Sequence, residues 1–497
     1  MNTNKEKLIN LITIFGISLL LLCFFWQMKA VYFGAEEEYE LFCTVQKGDF
    51  KLWLDLVTQQ TGRVTFYILS PFWAGPMAIS NPLGYKLCMY LLIVIDLVVV
   101  FRLLYKHVDK QFAYLTTAVL VLFFQISQQH NLLISYNYLH VAFICVLLSI
   151  HCIFDYCRGY KGKRALYMSA GLSFFACFFQ ENFILFYVLD YFIVLAFQKD
   201  ASFWKKVWSS FKQLCWHVLG GIVFLAIYFG FRSLNGGSQY GGNSFRMDDL
   251  EGSLRTLFMF ITGMFPGRTF FRVESETSFR ELLTYMEPSG VVISIFGAAL
   301  VGWILYRVKD ISHKGAITAF CLLGAFLSCA LHAVSEQYLS WVDTGYTYAY
   351  VPSYYCYFFL GIIICIVLVT IKEHLPKGKI FYCITVAAVC AGVAFGTQLT
   401  NNYYEARLGY KWEHYEAYRE FFKECPLNEW APDTQILIVD EYAELNTLIV
   451  KHTATITWYD AFGFNITTNP EEIDVTRPYY ILTFEDETLD LKYQETN

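Results

Sequence analysis

Long apolar runs separated by short polar connectors dominate the sequence. Runs of the length that crosses a bilayer, about 17 to 25 residues, begin near positions 8, 84, 112, 131, 165, 183, 214, 289, 315, 351 and 380. The pattern predicts an α-helical polytopic membrane protein with about 11 transmembrane helices. The lipid bilayer is therefore its expected environment.

One further apolar run, residues 64–79, is shorter and contains Pro71 and Pro76. Lys5 and Lys7 precede the first span and predict a cytoplasmic N-terminus. The parity of the crossings then favours 11 spans over 12, and we expect residues 64–79 to be re-entrant or juxtamembrane. The alternative is that two of the shorter early runs form one broken helix.

The distribution of basic residues predicts which connectors face the cytoplasm. Lysine and arginine are concentrated in the connectors 102–110, 158–164, 199–212, 307–314 and 372–379. The other polar segments are expected outside the cytoplasm: 30–83, the turns near 129 and 181, the loop 232–288, the segment 334–350, and the chain after 398.

The sequence changes character after residue 398. Charged residues become more frequent, and the runs 435–440 and 479–484 are typical of strands separated by helical and turn segments. We therefore expect a membrane module over residues 1–398, with outer loops at 30–83 and 232–288. A small extracytoplasmic α/β domain is expected over residues 399–497.

The composition agrees with a membrane protein. Hydrophobic residues make up 56% of the chain and charged residues 16%, whereas a soluble domain carries about 25% charged residues. The net charge of −6 argues against the basic surface that a nucleic-acid partner requires.

Three adjacent carboxylates, Glu36, Glu37 and Glu38, open the first outer segment. Because like charges raise the pKa of crowded carboxyl groups, such a cluster suits a general base near neutral pH. The alternative is a solvated loop. Arg63 follows Gly62 where apolar sequence resumes. A guanidinium there suits a lipid phosphate, and the alternative is simple snorkelling to the interface.

Polar side chains also collect at the predicted outer ends of the later spans. We expect them to line one cavity covered by the loop 232–288, although each one taken alone also fits a structural hydrogen-bonded role. These residues are His130, Asn137, His140, Glu181, His332, Glu336 and Asp343. Glu181 lies in an apolar hairpin and requires a cation, a hydrogen-bonding partner or a metal. Trp341 and Tyr346 lie in an aromatic segment that suits a sugar or a prenyl chain.

These features together resemble a known family. The pattern consists of a first outer loop, the turn 180–182, a late large outer loop and a soluble C-terminal domain, and the first loop contains Glu37, Glu38, Trp53 and Gly62-Arg63. This pattern is similar to that of the GT-C superfamily of membrane glycosyltransferases. Within it, the chain resembles the bacterial enzymes that use polyprenyl-phosphate sugars and are related to O-antigen glucosyltransferases. It departs from that pattern at the first-loop acid, which is most often Asp in the family, and at Gln180, where a basic residue is common.

The resemblance implies an activity. A sugar would pass, with inversion, from a polyprenyl-phosphate donor to a glycan, a lipid-linked acceptor or another hydroxyl outside the cytoplasm. Glu37 or Glu38 would take the acceptor proton. Arg63, with Arg268 or Arg272, would stabilise the departing phosphate. The location would be the plasma (inner) membrane of a bacterium.

Two questions stay open at this level. A divalent ion, Mg²⁺ or Mn²⁺, held by acids such as Glu181 or Glu274 is one option, but no ligand spacing is diagnostic. The alternatives to a glycosyltransferase are a carrier or flippase for a lipid-linked glycan and an outer-leaflet glycan polymerase. A carrier would have charged groups at mid-bilayer on broken helices and paired halves.

Overall fold

The computed structural model describes most of the membrane module and part of the C-terminal segment. The described residues are 3–29, 63–79, 82–126, 131–199, 202–234, 244–246, 248–345, 349–375, 377–424, 434–439, 465–485 and 488–494, with individual residues between 31 and 58. The chain forms two compact units. The first contains Met1–Lys29 and Leu54–Tyr404, and the second contains Ala30–Trp53 and Glu405–Asn497.

The described part of the chain before residue 235 is mainly helical. Its helices are α1 Thr3–Gln27, α2 Thr65–Ile79, α3 Pro82–His107, α4 Lys110–Leu122, α5 Asn137–Cys157, α6 Arg164–Cys177, α7 Phe186–Phe197, α8 Phe203–Gln213 and α9 Cys215–Leu234. A 3₁₀ turn, Glu181–Leu185, leads directly into α7.

Helices also form the later part of the first unit. They are α10 Leu250–Thr262, α11 Arg268–Glu276, α12 Phe279–Thr284, α13 Pro288–Arg307, α14 Lys314–Ala333, α15 Glu336–Asp343, α16 Val351–Glu373 and α17 Lys379–Glu424. The residues of α17 up to Tyr404 belong to the first unit, and those from Glu405 belong to the second.

Eight helices of the described chain are long and apolar enough to cross a membrane. They lie at Glu6–Gln27, Pro82–His107, Asn137–Cys157, Cys215–Leu234, Pro288–Arg307, Lys314–Ala333, Val351–Glu373 and Lys379–Tyr418. The protein is thus a helical membrane protein, as expected from the apolar runs. The count of 11 spans is not confirmed.

The difference lies in three short helices, α4, α6 and α7, which have 13, 14 and 12 residues. At a rise of about 1.5 Å per residue these helices measure about 18 to 21 Å, less than the roughly 30 Å of a hydrocarbon core. The helix α2, in the run that we expected to be re-entrant or juxtamembrane, has 15 residues and contains Pro71 and Pro76.

Small residues allow close approach between the long helices, as is common in membrane bundles. A Cβ added at Gly324 of α14 would lie 2.6 Å from the ring of Phe359 of α16. A Cβ added at Gly361 of α16 would lie 2.6 Å from Leu120 of α4. A Cβ at either position would therefore force the facing side chain to move.

The second unit contains a small sheet. Its strands are β1 Gln435–Ile438, β2 Asn465–Thr467, β3 Tyr479–Glu485 and β4 Thr488–Gln494, in the order β2-β1-β3-β4. β1 pairs in parallel with β2 and β3, and β3 pairs antiparallel with β4. The two predicted strand runs thus become the two central strands. The observed unit also contains Ala30–Trp53, which we had placed in the first outer loop.

Candidate functional site

An ion pair links two segments that are far apart in sequence. Arg63 lies just before α2, and Glu181 opens the 3₁₀ turn that follows α6. The Nε atom of Arg63 is 2.9 Å from Oε1 of Glu181, and the two side chains are 23% and 21% exposed. Arg63 is therefore the cation that Glu181 requires. Because both side chains keep access to the surroundings, a ligand anion can approach the guanidinium.

The two neighbours of Glu181 lead to His332, near the end of α14. Asn182 lies within hydrogen-bond distance of the His332 ring, and Nε2 of Gln180 lies 3.5 Å from its Nε2. The hydroxyl of Tyr355, on α16, donates to Oε1 of Gln180 at 3.3 Å. The turn 180–182 is thus held against both late helices.

The chemistry of His332 constrains these amides. A neutral imidazole has one donor and one acceptor nitrogen. Since amide oxygen and nitrogen positions are assigned from the hydrogen-bond network, one of the two amides has to present its oxygen to the ring. With Gln180 Nε2 donating to Nε2 of His332, Asn182 accepts from Nδ1. This arrangement fixes the imidazole ring beside the ion pair.

An aromatic wall adjoins His332. The ring centroid of His332 lies 4.9 Å from Tyr338 and 5.6 Å from Tyr350. The centroids of those two tyrosine rings are 4.8 Å apart, and the centroid of the Trp341 ring lies 5.2 Å from that of Tyr338. The ring centroid of Phe260, on α10, lies 6.1 Å from that of Tyr350. Trp341, a predicted pocket residue, is therefore in the same cluster as His332.

Part of the loop 232–288 pairs with the segment after α14. The backbone N–H of Arg246 donates to Val334 O at 2.8 Å, and that of Glu336 donates to Ser244 O at 2.9 Å. Glu336 begins α15, and Asp343 ends it with an ion pair to Arg255 of α10. These contacts join the loop 232–288 to the segment after α14, and the carboxylate of Asp343 is engaged by Arg255.

The two arginines predicted to assist Arg63, Arg268 and Arg272, both lie on α11. The guanidinium of Arg268 is 5.6 Å from the ring centroid of Phe258 and contacts the sulfur of Met259. Nη2 of Arg272 donates to Gly345 O at 2.8 Å. Arg272 therefore contacts the segment that follows α15.

His140 belongs to a buried network within the bundle. Its Nδ1 lies 2.6 Å from Oδ2 of Asp96, and its Nε2 lies 2.7 Å from Leu132 O. The hydroxyl of Tyr354 donates to the same Asp96 oxygen at 2.8 Å. Asn137 lies on the turn before, and its Nδ2 donates to Phe72 O of α2 at 3.2 Å. All four of the residues Asp96, Asn137, His140 and Tyr354 are buried.

The second unit holds the one described residue of the predicted catalytic pair. Glu38 is fully buried there, next to Tyr39. The Tyr39 hydroxyl donates to Tyr415 O at 3.0 Å, and its ring lies 4.3 Å from that of Tyr415. A small cavity beside them is lined by Phe33, Gly34, Tyr39, Leu408, Lys411, Trp412 and Tyr415.

Several predicted residues lie outside the described part of the chain. They are Glu36, Glu37, Trp53, Gly62, His130 and Tyr346, together with the side chain of Glu274. Their proposed roles stay predictions.

A second buried polar network was not predicted. Ser149 Oγ lies 2.6 Å from Ser169 Oγ and 2.7 Å from Ser173 Oγ, and it donates to Asp190 Oδ2 at 3.3 Å. His217 joins it through Ser169 at 2.8 Å. The available signal was a single carboxylate in an apolar run, which is costly in a membrane and usually paired. The same signal marks Asp96.

The fold, together with the cluster around Arg63, Glu181 and His332, defines a helical membrane protein with polar and aromatic groups gathered near the ends of its helices. No protein-family model matches the sequence, and a search of curated proteins gives no match.

Proposed function

We propose that the protein is an integral membrane glycosyltransferase. It moves a sugar from a polyprenyl-phosphate donor to a hydroxyl group of a glycan or lipid-linked acceptor outside the cytoplasm, with inversion at the anomeric carbon. The proposal rests on the resemblance in sequence pattern to the GT-C superfamily. The observation that carries it in the structure is the partly exposed ion pair between Arg63 and Glu181.

The ion pair suits a donor phosphate. A guanidinium at the start of an apolar helix binds phosphate oxygens in bidentate geometry. Glu181 holds Arg63 in position in the absence of substrate, at a distance of 2.9 Å from Nε. When the bond from the anomeric carbon to the phosphate oxygen breaks, negative charge grows on that phosphate, and Arg63 stabilises it.

The aromatic wall suits a carbohydrate or a prenyl chain. Tyr338, Trp341 and Tyr350 present rings within 6 Å of one another. Rings with a polar edge pack on apolar faces and still offer hydrogen bonds. His332 connects this wall to the turn that bears Glu181.

The general base of the proposal is Glu37 or Glu38. It takes the proton of the acceptor hydroxyl as that oxygen attacks the anomeric carbon, and the polyprenyl phosphate departs.

A carrier for a lipid-linked glycan is the second candidate. It is favoured by Asp96 and Asp190, which are carboxylates within apolar helices, because such residues mark translocation pathways. Against it, Asp96 is closely bonded to His140 and Tyr354, and Asp190 accepts from Ser149 and Ser173. Both fit structural pairing within a fixed bundle, so the enzyme is preferred.

The test measures release of radiolabelled sugar from polyprenyl-phosphate hexoses by membranes that contain the protein. Wild type is compared with Glu37→Gln, Glu38→Gln and Arg63→Gln at equal abundance. Arg477→Gln is the matched control, because Arg477 forms an exposed ion pair with Asp474. Loss of turnover in Arg63→Gln and in one glutamate variant supports the transferase and names the base. If the wild type is inactive with several sugars and acceptors, the function as a carrier for a lipid-linked glycan becomes the preferred proposal.

A further inference from the structure

A separate polar cluster joins the ends of α3 and α5 that are remote from Asn137. His107 is the last residue of α3, and His151 and Asp155 lie one turn apart on α5. Nε2 of His107 is 3.5 Å from Oδ1 of Asp155, and Nε2 of His151 is 3.8 Å from Oδ2. The connectors beside this cluster, 102–110 and 158–164, are the basic ones predicted to be cytoplasmic.

These side chains have geometry that suits a metal ion. Each offers one ligand atom, and the three atoms all lie within 4.8 Å of one another. A tetrahedral ion with bonds of about 2.0 to 2.2 Å to nitrogen and oxygen holds its ligand atoms about 3.3 to 3.6 Å apart. The side chains therefore have to move inward by up to about 1 Å to complete the site.

Burial gives a second, independent indication. His107 and Asp155 are both buried. Within the described part of the chain, neither ring nitrogen of His107 makes a hydrogen bond, and the same holds for Oδ2 of Asp155. Buried polar atoms in native proteins almost always have a partner. A cation between the two histidines and Asp155 supplies a partner to His107 Nε2 and to Asp155 Oδ2.

Two lysines compete for the carboxylate. Lys106 contacts Oδ1 of Asp155, and Lys161 lies 3.6 Å from Oδ2. The side chains of these lysines are 37% and 54% exposed, so Lys161 can withdraw into solvent. Lys106 can remain on Oδ1 as an outer partner that orients the carboxylate, since ligand carboxylates are themselves usually hydrogen-bonded.

We propose that His107, His151 and Asp155 bind one divalent transition-metal ion of the Zn²⁺ and Co²⁺ class. Two imidazoles and one carboxylate suit such ions, whereas Mg²⁺ and Mn²⁺ prefer oxygen ligands. His151 is 22% exposed and provides the side from which the ion and a water ligand enter. The site uses none of the residues of the proposed transferase, and it joins the ends of α3 and α5.

The test titrates the full-length protein with Co²⁺. The protein is purified in detergent with an affinity tag that contains no histidine, and bound metal is removed with a chelator. The visible absorption of Co²⁺ bound to nitrogen ligands then reports binding, and elemental analysis gives the stoichiometry. We expect one Co²⁺ per chain, displaced by Zn²⁺.

Variants separate the site from nonspecific binding. His151→Ala removes a partly exposed ligand and is expected to keep the fold while weakening Co²⁺ binding by at least about tenfold. Asp155→Asn is expected to weaken it as well. His374→Ala is the matched control, because His374 is exposed and bonded only locally, to Thr370 O at 2.8 Å. Its Co²⁺ affinity is expected to equal that of wild type.

Two results would overturn the proposal. One is the absence of stoichiometric Co²⁺ binding to folded wild-type protein. The other is binding that His151→Ala and Asp155→Asn leave unchanged. In either case the cluster holds only its lysine ion pairs. Since the readout is metal occupancy, neither result depends on sugar transfer.

Discussion

Arg63 and Glu181 form an ion pair of 2.9 Å between Nε and Oε1, although each side chain keeps about a fifth of its surface exposed. Tyr228 of α9 lies within electrostatic reach of both charges. A pair placed this way is neither a solvated surface contact nor a sealed core contact. The guanidinium is partly exposed, so an anion can approach it, and this property makes the pair the centre of the proposed donor site.

Arg63→Gln is expected to lower kcat/KM for sugar transfer by about 100-fold, the usual scale for loss of one charge-stabilising donor. Arg63→Lys is expected to recover only part of the activity, since lysine lacks the bidentate fork. Rates with a polyprenyl-phosphate hexose measure this effect.

A comparison with Glu181→Gln tests whether Glu181 acts by positioning Arg63. If Glu181 positions Arg63, that variant loses less activity than Arg63→Gln, and the double variant loses little more than Arg63→Gln alone. Additive losses would show that the two residues act separately. Arg477→Gln serves as the control, as above.

Trp341→Ala is expected to weaken substrate binding without unfolding the protein. Trp341 packs edge-on against Tyr338 and Tyr350, and aromatic contacts of this kind contribute about 0.5 to 1.5 kcal/mol beyond their buried area. We expect KM for donor or acceptor to rise by up to about tenfold, with kcat changed less.

Trp341→Phe keeps a ring at this position and is expected to retain most of the affinity. Trp26→Ala is the matched control, because Trp26 lies exposed on a spanning helix. An unchanged KM in Trp341→Ala would remove the aromatic wall from the substrate site.

The apolar runs predicted the eight long helices, but the count of 11 spans is not confirmed, and α4 shows why. Its helix ends at Leu122, and the chain continues without helical structure to Ile126. There the side chain of Asn401 accepts from Ile126 N at 2.8 Å and donates to Phe124 O at 2.9 Å. Backbone at membrane depth requires such partners. Hydropathy does not reveal a partner so distant in sequence.

The sequence predicted individual residues of the candidate site but not the contacts between them. The sequence singled out Arg63 and Glu181 separately, each for its charge beside apolar sequence, but their contact depends on how α2 and α6 pack. His140 was predicted to line a pocket, whereas its ring nitrogens are engaged by Asp96 and Leu132. Asp96 was not singled out, although it is the one acid in the run 84–107.

Gly324→Ala is expected to destabilise the bundle. Its new Cβ would lie 2.6 Å from the Phe359 ring, and overpacking of this kind costs about 1 to 3 kcal/mol. Gly392→Ala is the control, since a Cβ at Gly392 meets nothing within 4 Å. The midpoint of thermal unfolding in detergent measures both variants. Equal midpoints would contradict the close packing of α14 on α16.

Asp96→Leu is expected to cost about 3 to 5 kcal/mol, the range for removing one partner of a buried pair. His140 would then lose the carboxylate at 2.6 Å from its Nδ1, and Tyr354 would lose its acceptor. The double variant Asp96→Leu/His140→Leu replaces both groups with apolar ones, so it is expected to be more stable than Asp96→Leu alone. Thermal midpoints of the detergent-solubilised proteins measure the series.

The control is Asp490→Leu, because Asp490 lies in an exposed pair with Lys492. This variant is expected to change the free energy of unfolding by less than about 0.5 kcal/mol. The single variant His140→Leu completes the series. If the double variant loses the sum of the two single losses, Asp96 and His140 are not energetically coupled, and a role for Asp96 outside structural pairing regains weight.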